Sequence, residues 1–154
     1  MNATFIEPFA EAVKSTLAMM ASIELTQQPQ QDKADSVARG ELSSVIGMVS
    51  PQLCGSMAIT FDKPLSLAMM QNMLGETHGE INADVADMIG EMTNIICGSA
   101  KAALSEQGYE FNMATPVVIT GENHVIHHHV EGPSTITTFI SPKGNAYLEV
   151  CFDK

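Results

Sequence analysis

Glu91 and Asn94 stand three positions apart, and they are the pair in this chain whose residue types and spacing suggest chemistry. On a helix, side chains at this spacing are neighbours, with Cβ atoms about 5–6 Å apart. A carboxylate forms charge-assisted hydrogen bonds with a cationic group. A carboxamide donates and accepts hydrogen bonds, so it can orient a water molecule without being a strong base. The pair could complete a site that a partner supplies; a solvated helix face is the alternative interpretation.

The surrounding sequence predicts a helix from Asn82 to Leu104 with three different faces. Apolar residues recur at three- and four-residue steps, the spacing of a helix stripe that packs on a sheet. This stripe consists of Val85, Met88, Ile89, Met92, Ile95, Ile96 and Ala103. A row of small side chains, which favours close packing against another helix, consists of Ala86, Gly90, Thr93, Cys97 and Ala100. The polar row consists of Asp84, Asp87, Glu91, Asn94 and Lys101, with Gly98 leaving room for a partner.

The run from Gly90 to Gly98 has the sequence GEMTNIICG and resembles the signature helix of the CheC/CheX family of chemotaxis phosphatases. Members of that family pair a Glu and an Asn at this spacing. Four further segments occur in the order expected of a CheX-like member. They are FIEPF at 5–9, GSMAITF at 55–61, MLGE at 73–76 and PVVITG at 116–121. The resemblance therefore covers nearly the whole chain and is more specific than the Glu-Asn pair alone.

The resemblance implies both a fold and an activity. The fold is α+β, a pseudo-duplicated domain with two long helices packed on a mainly antiparallel, twisted sheet. The activity is dephosphorylation of the phospho-aspartate of a CheY-like response regulator, which ends chemotaxis or related two-component signalling. In the family's scheme Asn94 orients the attacking water and Glu91 pairs with a lysine of the regulator. The expected partner surface consists of Asp87, Glu91, Asn94, Gly98 and Lys101.

The same resemblance implies the cofactors and the assembly. No cofactor of the protein's own is expected, and Mg²⁺ belongs to the active site of the partner regulator. Some family members carry the Glu-Asn motif in each half, but here Glu11 is followed by Lys14, which has no carboxamide, so one working site is expected. CheX-like proteins form homodimers through sheet edges, and we expect the same here. A module that binds the regulator without catalysis is the alternative.

The remaining sequence predicts the elements that position this helix. Two more helices are predicted at Thr4–Met20 and Leu65–Leu74, the second ending at Gly75. Strands are predicted from alternating or uninterrupted apolar runs bounded by turn residues. They are Glu41–Ser50, Gly55–Phe61, Pro116–Thr120, His124–Val130, Ser134–Ser141 and Ala146–Phe152, with a short strand at Ser22–Leu25. The polar stretch Gln27–Lys33 contains a proline and is predicted to be a mobile surface loop.

Length and charge limit the function classes. The 154 residues fit one domain, residues 1–154. Seven Lys plus Arg and a net charge of −11 oppose binding to nucleic acid, which depends on cationic contacts. No apolar run reaches the roughly 20 residues that span a bilayer, and the N-terminus lacks a secretory signal pattern. We therefore expect a cytoplasmic protein that binds neither nucleic acid nor membrane.

A histidine cluster allows a third interpretation, metal-dependent chemistry. It consists of His124, His127, His128 and His129. In a strand, His127 and His129 would face the same side, as metal ligands sometimes do. No carboxylate or cysteine beyond Glu122 and Glu131 completes an evident site, so no metal is expected. An exposed or subunit-facing strand is the plainer account, with edge pairing between subunits through this region.

Cysteines and methionines are interpreted as packing residues. Cys54, Cys97 and Cys151 are widely separated and odd in number, which predicts buried free thiols rather than disulfides or a metal site. The eleven methionines are interpreted as core filling rather than as a ligand-binding stripe.

Overall fold

Three helices pack against a sheet in the computed structural model, which describes residues 3–51, 54–77, 79–128, 132 and 134–152, with side chains from residue 6 onward. The helices are α1 (Ala3–Met20), α2 (Lys63–Leu74) and α3 (Ala83–Glu106). The strands are β1 (Thr26–Gln27), β2 (Gln31–Lys33), β3 (Leu42–Val49), β4 (Cys54–Phe61), β5 (Asn112–Met113), β6 (Val117–Thr120), β7 (Ser134–Ile140) and β8 (Ala146–Phe152). All three predicted helices and every longer strand except His124–Val130 are confirmed to within two residues. None of the helices in these ranges is long and apolar enough to cross a membrane.

Every strand pairing among the described residues is antiparallel, and the strands form one eight-stranded sheet. The order across the sheet is β1-β7-β8-β4-β3-β5, while β2 pairs with β7 and β6 pairs with β3. The β3–β4 pairing extends from Leu42 opposite Phe61 to Val49 opposite Cys54. Long strands therefore form the centre and short strands the two edges. The α+β class and the mainly antiparallel sheet are confirmed, and the pseudo-duplication of the two halves stays a prediction.

Alternation along the central strands gives the sheet two different faces. On β4, Met57, Ile59 and Phe61 are buried in the main core, to which all three helices contribute. Since successive side chains of a strand point to opposite faces, Ser56 and Thr60 lie on the other side. The helices therefore cover one face, and the second face is polar.

Helices α1 and α3 pack side by side in opposite directions. The first half of α1 lines a groove with the second half of α3, whereas Met20, at the end of α1, lies beside Met88 in the first half of α3. The prediction that the small-residue row of α3 packs against another helix is wrong at Gly90. A Cβ at that position would lie 3.6 Å from Val118 Cγ2 of β6. The row faces the edge of the sheet there, because α1 occupies a different side of α3.

Local hydrogen bonds fix the limits of α2 and α3. Asn82 Oδ1 accepts a hydrogen bond from the backbone N–H of Val85 at 3.0 Å, and Asp62 caps α2 in the same way. Such caps contribute about 1 kcal/mol each. Asp62 Oδ2 also accepts a hydrogen bond from the backbone of Asn145 at 2.8 Å, which ties α2 to the β7–β8 turn. Gly75 ends α2 with a φ of 70°, as predicted.

Two chain segments cover part of the polar face of the sheet. Residues 34–40 and 121–128 meet through a β-bridge between Val37 and Val125. Together with the sheet they enclose a small apolar cluster of Ala38, Val45, Ala58 and Ile126. The prediction of a strand at His124–Val130 is wrong over residues 124–128, which form only this isolated bridge and no strand. Residues 129 and 130 lie outside the described ranges. The short strand predicted at Ser22–Leu25 lies instead at β1, just after it.

A buried ion pair joins β2 to the centre of the sheet. Lys33 Nζ lies 2.8 Å from Glu149 Oε2, and both side chains are almost inaccessible to solvent. His128 Nε2 lies 3.3 Å from the other oxygen of Glu149, and its Nδ1 lies 2.8 Å from Ser56 Oγ. The prediction of a mobile loop over Gln27–Lys33 is therefore wrong, since β1 and β2 pair with β7. The polar sequence of this stretch did not indicate a buried strand, because the partner of Lys33 is 116 residues away in the chain.

Replacing Lys33 with Met is expected to lower the free energy of unfolding by about 3 kcal/mol, because the substitution leaves the buried Glu149 without its lysine partner. Urea unfolding followed by circular dichroism measures the change. Lys14→Met is the matched control, since Lys14 forms a solvent-accessible pair with Glu11 at 3.2 Å, and such pairs contribute about 0–1 kcal/mol. Equal losses in the two variants would contradict a structural role for the buried pair.

Candidate functional site

The buried side of α3 determines which of its residues face solvent. Val85, Ile89, Met92 and Ile96 are buried in the main core, as predicted for the apolar stripe. Because an α-helix turns by about 100° per residue, the polar row lies on the other side of the helix. The exposed residues of that row are Asp84, Asp87, Glu91, Asn94, Gly98 and Lys101. The structure thus brings every residue of the predicted partner surface onto one face, while their roles stay predictions.

Two members of the predicted stripe do not lie in the core. Ile95 is 41% exposed, and Ala103 is half-buried. Ile95 follows Asn94 directly, so it adds an apolar side chain at the border of the polar row. The buried stripe of α3 therefore contains fewer residues than the sequence predicted. Periodicity shows which side chains share a helix face, but it does not show which of them neighbouring helices and strands bury.

Glu91 and Asn94 are available to a partner. Neither side chain forms a hydrogen bond or ion pair with any residue that the structure describes. The corresponding residues of α1 behave differently, because Lys14 Nζ lies 3.2 Å from Glu11 Oε1. Thus α3 presents an unneutralised carboxylate beside a carboxamide, whereas the carboxylate on α1 already has a cationic partner.

A groove of about 410 Å³ lies beside Glu91, and sequence reasoning missed it. We call it the methionine groove. Its apolar lining consists of Met20, Met70, Met73, Leu74, Met88, Met92 and Ile95, and its acidic lining consists of Glu76, Asp84, Asp87 and Glu91. Core filling is confirmed for many of the methionines, but Met20 and Met73 are partly exposed here. No sequence signal marks the groove, because its walls come from three separate helices.

A larger groove of about 620 Å³ between α1 and the second half of α3 contains none of the predicted site residues.

Packing within the chain does not explain Gly98. Apart from its chain neighbours and the adjoining backbone of α3, no described atom lies within 4 Å of the position that a Cβ would take there. Alanine would therefore fit, and glycine in a helix interior costs about 1 kcal/mol relative to alanine. The open space at Gly98, on the same face of α3 as Asn94 and Lys101, agrees with the predicted room for a partner.

Cys97 does not supply a nucleophile to this face of α3. Burial raises the pKa of its thiol to about 12, so the reactive thiolate is scarce at neutral pH. Cys151 is also buried, Cys54 is half-buried, and none of the three cysteines forms a disulfide with a described residue. The prediction of free thiols is confirmed, and the prediction of burial is wrong for Cys54.

Two of the three described histidines, His124 and His128, form hydrogen bonds within the fold. Both ring nitrogens of His124 have hydrogen-bond partners, a backbone carbonyl at 2.7 Å and Ser43 Oγ at 2.6 Å. His128 contacts two residues of the polar sheet face in the same way, and His127 is exposed. Among the described residues, no group of three or more His, Cys, Asp or Glu side chains could hold a metal ion. His129 lies outside the described ranges. The region 124–128 lies across a sheet face and forms no strand within the chain, and the expectation of pairing between subunits through it stays a prediction.

Comparison with known families and structures connects this architecture to chemotaxis proteins. A family model described as chemotaxis phosphatase CheX matches residues 42–140. A CheC-like superfamily protein from Shewanella sp. PV-4 is 45% identical over 100% of both chains, with a TM-score of 0.93. The chemotaxis protein CheX from Vibrio vulnificus is 49% identical, over 97% of this chain and 99% of that chain, with a TM-score of 0.90. No significant match was found among curated protein sequences.

A more distant structure is a complex of CheX with CheY, BeF₃ and Mg²⁺ from Borrelia burgdorferi. The match is 24% identical, covers 97% of this chain and 98% of that chain, and has a TM-score of 0.81. At this identity the likeness shows a shared fold.

Gly98→Ala is expected to raise the free energy of unfolding by about 0.5–1 kcal/mol, because alanine fits at this position and favours a helix. Thermal and urea unfolding measure the change. Ala102→Gly, at an exposed position one turn further along α3, is the matched control and should lower stability by a similar amount. A loss of stability in Gly98→Ala would mean that the fold itself requires this glycine.

Cys97 is expected to react with iodoacetamide at pH 8 at least ten times more slowly than Cys54 in the folded protein, because its thiol is buried and its pKa is about 12. Mass spectrometry of labelled peptides measures both rates, and the two should become similar in urea. The raised pKa of Cys97 also makes the free energy of unfolding depend on pH. The folded state favours the neutral thiol, so the contribution of Cys97 to stability is complete below the unfolded pKa of 9.0 and is lost as pH rises toward 12. Equal labelling rates in the folded protein would contradict the burial.

Proposed function

The chain belongs to the CheX family of chemotaxis phosphatases, and we propose that the polar row of α3 carries its activity, the dephosphorylation of a phospho-aspartate on a CheY-like response regulator. The protein is accordingly an aspartyl-phosphate protein phosphatase that ends a two-component signal. The observation that carries the assignment is the exposed pair of Glu91 and Asn94, whose polar groups have no partner among the described residues.

Hydrolysis of an acyl phosphate mainly requires a correctly placed water molecule. The water oxygen attacks phosphorus in line with the aspartyl oxygen, the bond from phosphorus to that oxygen breaks, and the proton of the water leaves with inorganic phosphate or to solvent. The regulator regains its aspartate. Asn94 contributes by accepting a hydrogen bond from this water and holding it in line. It needs no strong base, because the acyl phosphate has a good leaving group.

Glu91 serves docking rather than bond breaking. Its carboxylate pairs with a lysine in the regulator's active site, a charge-assisted contact that sets the position of α3. Asp87 and Lys101 extend the contact along the helix, and Gly98 lets the partner approach closely. Because exposed ion pairs often contribute only about 0–1 kcal/mol, Glu91 should affect binding modestly.

Mg²⁺ belongs to the partner in this proposal. The Borrelia burgdorferi complex contains CheX, CheY, BeF₃ and Mg²⁺ together. A regulator-bound cation neutralises the phosphoryl oxygens during transfer, while this chain adds the carboxamide and the carboxylate. No cofactor of the chain's own is proposed.

We further propose a cytoplasmic homodimer of a single domain, residues 1–154. The cytoplasm is where phosphorylated regulators of this type act. The dimer would form through sheet edges, and the β5–β6 edge offers exposed apolar side chains for it. Val49 and Val117 are exposed there and line one groove with β5.

Asn94→Ala is expected to reduce the accelerated release of phosphate about 100-fold, because the water loses its positioning group. Binding to a CheY-like regulator of the same cell, loaded with Mg²⁺ and BeF₃, should change less than about threefold. Phosphate release measures the first quantity and fluorescence anisotropy the second. Glu91→Ala should weaken binding up to about fivefold, since an exposed ion pair contributes about 0–1 kcal/mol.

Glu11→Ala is the matched control, since it removes a glutamate from α1 that already pairs with Lys14; both activity and binding should be unchanged. Wild-type protein that binds the regulator without accelerating phosphate release would favour the non-catalytic binding module. Wild-type acceleration that Asn94→Ala retains would refute the role of Asn94.

A further inference from the structure

The Glu91–Asn94 pair is too small to account for recognition of a folded partner. Specific protein interfaces bury about 800 Å² on each side, far more than two side chains supply. The contact must therefore extend from α3 to neighbouring surface. It is also expected to include an apolar centre, since fully buried interface centres are depleted in charge.

The methionine groove is the apolar surface that adjoins the pair. Met20 is 42% exposed, Leu74 is 55% exposed and Ile95 is 41% exposed, and all three line it. Exposed apolar side chains that cluster and are rimmed by polar residues mark interaction sites. Glu91 belongs to both the pair and the groove lining. A partner docked on Glu91 therefore lies directly against the groove.

The charge of the groove identifies the chemistry of its occupant. Four of its lining residues are acidic, and none is Lys, Arg or His. Asp84, Asp87 and Glu91 form no ion pair with the described residues. A segment with Lys or Arg beside its apolar side chain would neutralise this rim. A second copy of this chain does not fit that description, because its net charge is −11 with seven Lys plus Arg.

Methionine is also suited to receiving a side chain from outside. Its unbranched thioether has three rotatable bonds and adapts to irregular shapes. Met20 and Met73 are partly exposed in the groove wall, with Met88 buried below them. The wall can therefore adjust around an inserted apolar group at small cost in strain.

We infer that the methionine groove, which adjoins the Glu91–Asn94 pair and shares Glu91 with it, is a docking site for the response regulator, and that it receives a regulator segment presenting a large apolar side chain flanked by Lys or Arg. This inference rests on the proposed function, because it takes the regulator as the partner. The groove provides affinity and selects among regulators, whereas Asn94 provides turnover. Binding and catalysis can therefore be separated by substitution.

The test compares neighbouring methionines on α1. Met20 lines the groove, whereas Met19 is 84% exposed and lies outside it. The double variant Met20→Gln/Leu74→Gln removes apolar character with little change in size. It should raise both the KM for the phosphorylated regulator and the Kd for the regulator loaded with Mg²⁺ and BeF₃ at least tenfold, with kcat within twofold of wild type. Met19→Gln should match wild type in all three. Circular dichroism and urea unfolding confirm that the variants fold.

Salt dependence tests the basic part of the segment. The wild-type Kd should rise several-fold between 50 and 300 mM NaCl, because contacts between exposed charges are screened. Asp84→Asn should show a weaker dependence. A Kd that does not change with salt would contradict the inference that Lys or Arg flanks the apolar side chain of the regulator segment.

The outcomes separate this inference from the proposed function. If the double variant matches Met19→Gln in KM and Kd while wild type dephosphorylates the regulator, the groove is not the docking site and the proposed function stands. If wild type binds but does not accelerate phosphate release, the proposed function fails. The Kd values of the double variant and of Met19→Gln then decide whether the groove is the docking site. If wild type does not bind the loaded regulator, the inference is overturned, and the groove has another occupant such as a small apolar ligand.

Discussion

The burial of one stripe of α3 is the constraint on which the rest of the structure depends. Val85, Ile89, Met92 and Ile96 are fixed in the core, so the rotation of the helix about its axis is fixed as well. A rotation by one residue, about 100°, would move polar side chains toward the core. Burying a carboxylate without a partner is far more costly than any gain from repacking. The position of the Glu91–Asn94 pair is therefore a consequence of core packing.

The same packing places the proposed catalytic pair and the proposed docking groove on one surface. The end of α1 and the end of α2 meet the first half of α3 beside Glu91, and the three helices leave a groove instead of closing it. The polar row then continues along the exposed side of α3. This arrangement suits the role proposed for Asn94, because a rigid helix places a carboxamide more accurately than a mobile loop does.

The two faces of the sheet differ in composition and in how they are stabilised. The helix side carries the large core and the candidate site, while the opposite side is polar and is stabilised by paired groups. Lys33, Glu149 and His128 form the buried centre of that side. Ser43 and Thr60 add a hydrogen bond of 2.7 Å between neighbouring strands. These polar groups are paired with one another, which avoids the cost of burying them unpaired.

The sequence by itself determined the helices, the longer strands, the Glu-Asn pair and the family, because apolar periodicity, turn residues and a short motif are local properties of the chain. It did not predict β2, whose Lys33 pairs with a residue 116 positions away, nor the course of residues 124–128 across the sheet. It also did not show that Ile95 is exposed or that methionines from different helices line a groove. Those features were decided by tertiary structure alone, since each depends on which distant elements come into contact.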